Sequence, residues 1–207
     1  MSLKSHAWAA FLYAVLTVLM TWPLWQLRTE PPMIPLLPLP AFPTGLALLA
    51  ALMMAAARRI TESEHFLRAG KWQHWAYDMF TGPDVHGATL GILGMGRIGQ
   101  AIAKRGALGF DMKVIYHNRS RLDVAVEAPL NARWVDRPTL LREADHLVIV
   151  MPYSAASHHA IGAAELALMK PTATLTNVAR GGIVDDAALA KALSEGRIAS
   201  AGLDVFE

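Results

Sequence analysis

Residues 89–99 read T-L-G-I-L-G-M-G-R-I-G, and the expectation for the whole chain grows out of them. Leu90, Ile92 and Leu93 form a short apolar run that meets Gly94-Met95-Gly96-Arg97-Ile98-Gly99. A helix-forming segment, Gln100 to Leu108, follows, and then a second apolar run, Val114 to Tyr116. In the order strand, glycine turn, helix, strand, each glycine has a physical task. Gly94 permits the tight turn, Gly96 removes a Cβ that would block a pyrophosphate, and Gly99 lets the helix pack closely on the strand. The helix N-terminus then offers unpaired N–H groups to phosphate. The bland alternative is an ordinary glycine-rich turn, and the flanking strand and helix argue against it.

The residue about 20 positions past such a loop reads the adenosine ribose, and an acid there favours NAD. Here the stretch is Tyr116-His117-Asn118-Arg119-Ser120-Arg121. Asn118 takes the place of the acid, and Arg119 and Arg121 flank Ser120. A carboxylate repels a 2′-phosphate, whereas guanidinium forks clamp it. NADP(H) is therefore preferred, with NAD(H) as the alternative. The competing reading is that both arginines only solvate a surface loop.

Further along, Asn118 to Ala128 reads as a polar loop and Trp134-Val135 as a short strand. Asp136 or Thr139 caps a brief helix ending near Ala144, and His146 to Met151 is a buried parallel strand ended by Pro152. Ala163 to Met169 is helical and Thr174 to Val178 is a strand. Asp185 caps a helix from Asp186 to Ser194, and Ile198 to Val205 is the last strand. This alternation predicts an α/β fold, a Rossmann-type doubly wound parallel sheet. Ligands of such sheets bind at the carboxyl ends of the strands. Met151-Pro152-Tyr153, Asn177 to Gly182 and Gly202-Leu203-Asp204 fall there. A guanidinium at Arg180 can hold a substrate carboxylate in two parallel hydrogen bonds and polarise an adjacent carbonyl. Asp204 is placed to orient a carboxamide. His158-His159 stands in a polar loop with no third metal ligand near it in sequence, which favours a plain surface loop.

The first part of the chain has another character. Ala7 to Trp25 carries no charge. Three readings compete for it: a membrane anchor, a buried helix, or a segment outside the folded unit. Pro31, Pro32, Pro35, Pro38, Pro40 and Pro43 then impose an extended linker. Leu46 to Ile60 is a strong helix former, and Thr61 to Gly70 continues as polar helix or turn with Thr61 as a possible cap. Trp72 and Trp75 share a helical face if that part is helical, which points to core packing or a subunit interface. Thr81-Gly82-Pro83-Asp84 is a turn. The expected division is 1–45, apolar and proline-rich; 46–86, a helical linker and dimerisation segment; and 87–207, a dinucleotide-binding domain. The chain has no cysteine, which excludes disulfides and thiolate chemistry. A net charge of +2 from 19 basic and 17 acidic residues is no nucleic-acid signal.

Four motifs carry a family resemblance. They are Gly91 to Gln100, Leu168-Met-Lys-Pro171, Asn177-Val-Ala-Arg-Gly-Gly-Ile-Val-Asp185 and Ala201-Gly-Leu-Asp-Val-Phe-Glu207. From about Ala47 onward the chain resembles the D-2-hydroxyacid dehydrogenases. Leu67 to Trp72 and Tyr116 to Ser120 point to the glyoxylate/hydroxypyruvate (2-ketogluconate) reductase branch. The resemblance implies NADPH-dependent reduction of a small 2-keto acid, a homodimer and a cytoplasmic location. It implies a catalytic Arg180 and a coenzyme site made of Gly94, Met95, Gly96, Arg97, Ile98 and Gly99. Asn118, Arg119, Ser120, Arg121, Met151, Pro152, Val178, Ala179 and Asp204 complete that site.

The resemblance also implies a histidine, paired with a glutamate, that protonates the forming alkoxide; that glutamate would lie two positions past Glu207, and the histidine further on. Forty-six residues unlike the family's substrate domain stand at the front. The expectation is a chain truncated at both ends by a frameshift, a wrongly assigned start or a shortened gene, and catalytically incomplete. The alternative is a non-catalytic dinucleotide-binding module.

Overall fold

A computed structural model describes residues 50–207. Ala7 to Trp25 and the proline cluster lie outside the described residues. Six parallel strands form one sheet: β1 (Thr89–Leu93), β2 (Lys113–His117), β3 (Arg133–Trp134), β4 (His146–Ile149), β5 (Thr174–Asn177) and β6 (Ser200–Leu203). Their spatial order is β3-β2-β1-β4-β5-β6. The chain thus winds outward from β1 in one direction, then returns past it and winds in the other. This is the doubly wound Rossmann-type sheet expected from the sequence.

Strands β1, β2, β4 and β5 are short and buried nearly throughout, as parallel strands covered on both faces are. Successive side chains still go to opposite faces. Leu90, Ile92, Val114, Tyr116 and Val148 enter one core; Leu93, Ile115, Leu147, Ile149 and Leu175 enter the other. Helix α3 (Arg97–Phe110) covers the first face. It buries Gly99, Ile102, Ala103 and Gly106, spaced to form one helical stripe. A Cβ on Gly106 would meet the Leu90 side chain at 2.5 Å, so the glycine brings α3 down onto β1. The other face is covered by α5 (Arg137–Glu143), α6 (Ala163–Leu166) and α7 (Asp186–Ser194), through Leu140, Leu141, Leu166, Leu189 and Ala192. Asp136 and Asp185 cap α5 and α7, accepting from Thr139 N at 2.7 Å and Ala188 N at 2.9 Å.

Several expectations are corrected. A short helix, α4 (Val124–Glu127), and a 3₁₀ turn (Ala128–Leu130) replace the polar loop, with Asp123 capping α4 by accepting from Ala125 N at 2.7 Å. The apolar N-terminal helix ends sooner than the sequence predicts. Residues 50–57 are helical (α1), Arg58 and Arg59 turn, and α2 (Ile60–Arg68) begins anew. Arg59 takes a left-handed backbone, φ 52°. Its guanidinium bonds Glu62 at 2.5 and 2.7 Å and lies over the Phe80 ring at 5.4 Å. Arg59, not Thr61, occupies the cap position, and its side chain makes no capping bond. Residues 71–76 form no helix, so Trp72 and Trp75 share no helical face; both are exposed. The turn near Pro83 falls earlier, over residues 77–80.

Helix α1 belongs to the folded sheet. Met53 and Ala57 join the core beneath Leu90 and Ile92. Ser200 Oγ donates to Ala56 O at 2.9 Å, and a Cβ on Gly202 would lie 2.9 Å from Leu52 O. Among the described residues no helix is long and apolar enough to cross a membrane.

Candidate coenzyme and substrate site

The register sets the carboxyl ends of the strands in one row. Leu93 lies beside His117 and Ile149, Ile149 beside Asn177, and Asn177 beside Leu203. Each predicted site residue follows one of these ends within a few positions.

Gly94 turns the chain out of β1 at φ 107°, and its N–H donates to His117 O at 3.1 Å. A Cβ there would lie 2.8–2.9 Å from the backbone of Val150 and Met151. Gly99 is packed as tightly, with a virtual Cβ 2.5 Å from Gly94 O. Gly96 differs: a Cβ on it would meet nothing within 4 Å. It stands at the cap position of α3, where no side chain caps the first turn. Gly96, Arg97 and Ile98 are exposed, and Met95 is buried beneath them. Open space over Gly96 and an uncapped 14-residue helix fit the pyrophosphate of a dinucleotide.

Asn118 shapes this loop from the neighbouring strand. Its Oδ1 accepts from Met95 N at 2.7 Å, and its backbone carbonyl accepts from Trp134 Nε1 at 3.1 Å. Arg119 and Ser120 are exposed. Arg121 turns the other way and grips Glu127 with Nε at 3.0 and 3.2 Å and Nη2 at 2.7 Å. Glu127 is buried and also accepts from Tyr116 Oη at 2.6 Å. The Arg121 fork and the Tyr116 hydroxyl hold its carboxyl below the usual carboxylate range. Burial, and then the Glu127 carboxylate, push the Tyr116 phenol up. Of the two predicted cations, Arg121 is committed to its own loop and Arg119 faces solvent.

The third part of the row is a loop built by Asn177. Its buried Oδ1 accepts from Ala179 N at 3.0 Å, and its Nδ2 donates to Arg180 O at 3.2 Å. These bonds turn the chain after β5 and leave Arg180 exposed, with Nη1 donating to Ala179 O at 2.6 Å. Val178 and Ala179 are half-buried, as is Met151. Pro152 and Asp204 are exposed, and Asp204 N–H donates to Asn177 O at 3.1 Å. Gly181 lies under the last residues of the chain, where a Cβ would stand 2.0 Å from Phe206 O.

One arrangement departs from the sequence reading of His158-His159 as a plain surface pair. The fold brings Glu207 to them, with His159 Nε2 2.8 Å from Glu207 Oε2. That hydrogen bond, with Asp185 and Asp186 nearby, raises the His159 pKa above its ordinary value. The 48 positions between His159 and Glu207 hide this contact from any local motif. A separate cavity of about 850 Å³ lies at the opposite end of the strands, lined by residues such as Thr89, Lys113, Arg133 and Lys170. It shares no residue with the row.

Residues 50–207 match the NAD binding domain of the D-isomer specific 2-hydroxyacid dehydrogenases. The chain belongs to this family. A glyoxylate reductase of Thermococcus gammatolerans is 50% identical over 160 residues, 75% of this chain and 47% of the relative. The glyoxylate/hydroxypyruvate reductase B of Pectobacterium atrosepticum is 49% identical over 156 residues, 75% of this chain and 48% of the relative. The chain thus spans about half the length of these curated relatives. Among solved structures, a glyoxylate reductase of Paecilomyes thermophila superposes with TM-score 0.70 at 39% identity, over 79% of this chain and 48% of that one. A D-isomer specific 2-hydroxyacid dehydrogenase of Lactobacillus delbrueckii, solved with NAD, gives TM-score 0.73 at 30% identity, over 82% and 50%. The match to this dehydrogenase family covers both α1 and the row of strand ends.

Proposed function

We propose that the chain binds NADP(H) along the row of strand ends and serves the reduction of a small 2-keto acid to its 2-hydroxy acid. Glyoxylate, hydroxypyruvate and 2-ketogluconate are the candidate substrates. The observation that carries this reading is the open space over Gly96, at the uncapped start of α3 and in line with the Arg180 loop. That relatives of this chain are glyoxylate and glyoxylate/hydroxypyruvate reductases supports the substrate class.

The first-turn N–H groups of α3 hold the pyrophosphate, and Asn118 and Ser120 take the ribose. Arg119 pairs with the 2′-phosphate. Arg121 serves indirectly, by fixing the loop through Glu127. When bound, the nicotinamide supplies a hydride for the keto carbon. Arg180 receives the substrate carboxylate and polarises its carbonyl, while Met151, Pro152, Val178 and Ala179 wall the nicotinamide side. Asp204 orients the carboxamide. Trp72 and Trp75, both exposed, belong to a homodimer interface. A cytoplasmic setting suits a cysteine-free protein that draws on the NADPH pool.

Fluorescence titration with NADPH and NADH tests the coenzyme reading, with tighter NADPH binding expected; much tighter NADH binding would defeat the role of Arg119. Turnover is tested separately by following NADPH consumption with glyoxylate and hydroxypyruvate. Slow or no turnover with firm NADPH binding is expected of this chain alone. It would fit equally the second reading, a dinucleotide-binding module, which the retained Arg180 loop disfavours.

A further inference from the structure

His158 and His159 are consecutive, yet their rings stack on one side, with centroids 3.9 Å apart and planes 21° from parallel. In extended backbone, neighbouring side chains point to opposite faces. His159 escapes this rule with a left-handed backbone, φ 48°, uncommon outside glycine. That conformation is held in place, since His159 N–H donates to Gly182 O at 2.8 Å. Both Nε2 atoms face one carboxylate. His159 Nε2 is 2.8 Å from Glu207 Oε2, and His158 Nε2 is 4.0 Å from Glu207 Oε1. Each Nδ1 faces another oxygen. His158 Nδ1 is 3.3 Å from Tyr153 Oη, and His159 Nδ1 is 3.9 Å from Asp185 Oδ2.

We propose that His158, His159 and Glu207 form a binding site for a divalent cation of the zinc class. Donor atoms from the three residues lie within 4.8 Å of one another, and all three side chains are open to solvent. Two imidazoles and a carboxylate are a donor set that zinc takes in open sites, with water in the fourth position. Bonds of about 2.0–2.2 Å in a tetrahedron set ligands about 3.4 Å apart. The longest separation here closes to that by a side-chain shift of about 1.5 Å, and the His159–Glu207 pair opens by less. Calcium and magnesium favour all-oxygen shells, so the two imidazoles select against them.

The orientation of the rings strengthens the case. A metal-bound histidine holds its other nitrogen against a carboxylate or another oxygen, which fixes its tautomer and aim. Tyr153 Oη stands within hydrogen-bond distance of His158 Nδ1, and the Asp185 carboxylate lies 3.9 Å from His159 Nδ1, near enough to close on it by a small side-chain movement. The site joins the loop after β4 to the stretch after β6, and both border Gly181 and Gly182 of the Arg180 loop. A cation here braces the loop that presents Arg180. The proposal is independent of the coenzyme reading and uses none of its residues.

The test is calorimetric titration of the tag-free full chain with Zn²⁺, paired with visible absorption of the Co²⁺ form. One equivalent is expected, with the intense visible bands of tetrahedral cobalt. His158→Asn and Glu207→Gln should each weaken binding at least tenfold, and His65→Asn, on helix α2, should not. His158→Asn spares the His159–Glu207 bond, and circular dichroism checks that each variant is folded. Absence of saturable binding at one equivalent overturns the site, as does binding that survives both variants or a weak octahedral cobalt spectrum. The cobalt spectrum of the unaltered chain decides the matter even if a variant does not fold. NADPH titration of the same variants should match the unaltered chain, which keeps failure here distinct from failure of the coenzyme reading.

Discussion

At Gly94 and Gly96, two residues apart, the same substitution has opposite consequences. Gly94→Ala forces a Cβ into the backbone of Val150 and Met151 at a φ of 107°. A stability loss of about 2 kcal/mol or more is expected, read by urea denaturation. Gly96→Ala meets no protein atom, and exchanging a glycine cap for alanine costs about 1 kcal/mol or less. Its melting temperature should fall by no more than a few degrees while NADPH affinity drops at least tenfold, because the new methyl occupies the space assigned to pyrophosphate. Equal NADPH affinity in Gly96→Ala would sink the cradle. The two arginines divide in the same way. Arg119→Ala should lower NADPH affinity about tenfold, roughly 1.4 kcal/mol, and leave NADH affinity unchanged. Arg121→Ala removes the partner of a buried carboxylate and should lower the melting temperature. If both variants lose NADPH selectivity without loss of stability, the Glu127 anchor is not what holds Arg121. The sequence could not separate these arginines, because both flank Ser120 in an equally polar stretch. Only the helical turn at Val124–Glu127 brings the carboxylate round to one of them.

At the level of elements, Asp145 fastens β4 to β1 at the ends away from the site. Its carboxylate accepts from Thr89 N at 2.8 Å and from Lys170 Nζ at 2.7 Å. Burial pushes this carboxyl up, but the Lys170 ammonium and the Thr89 N–H outweigh burial and hold it below the usual range. A depressed carboxylate stabilises the fold above its unfolded pKa, about 3.9. That stabilisation drains away as the pH falls through the lowered folded value. Urea denaturation should therefore show an acid limb that Asp145→Asn flattens, with stability also reduced at neutral pH; an unchanged limb would remove Asp145 from the account. Much of this level was legible in the sequence. The buried runs, the glycine turn and the caps Asp136 and Asp185 are local signals, and each lies within a few residues of where the sequence set it, the last strand being Ser200–Leu203 where 198–205 is expected. What escaped depends on distant partners. The break at Arg59 has no glycine or proline to announce it, and it is held by Glu62 and by Phe80, 21 residues on. Residues 71–76 show no helix although Trp72 and Trp75 have helical spacing. Of the site, the position of Arg180 after β5 was readable. The hydrogen bonds by which Asn177 builds its loop were not, since an asparagine at a strand end announces nothing by itself.

Across the described molecule, both faces of the sheet are sealed by the chain itself, with α1 closing part of the α3 side. Exposed large apolar groups are scattered over the described molecule, and the two most exposed stand in the stretch after α2. Trp75 is 71% exposed and Tyr77 83%, with Trp72 close by in sequence. An apolar surface of this kind marks an interaction site or an aggregation hazard. Sedimentation velocity should find a dimer, and Trp75→Arg should shift it to monomer without altering the far-ultraviolet circular dichroism. A monomer before substitution would exclude the interface. The hydrogen bond from Met95 N–H to Asn118 Oδ1 has a last consequence, for ancestry. The side chain proposed to meet the ribose also holds the loop after β1, and an aspartate at 118 keeps that acceptor oxygen. On the proposed coenzyme reading, a change toward NADH is thus one nucleotide away, from an asparagine codon to an aspartate codon, and the loop that Asn118 holds would survive the change.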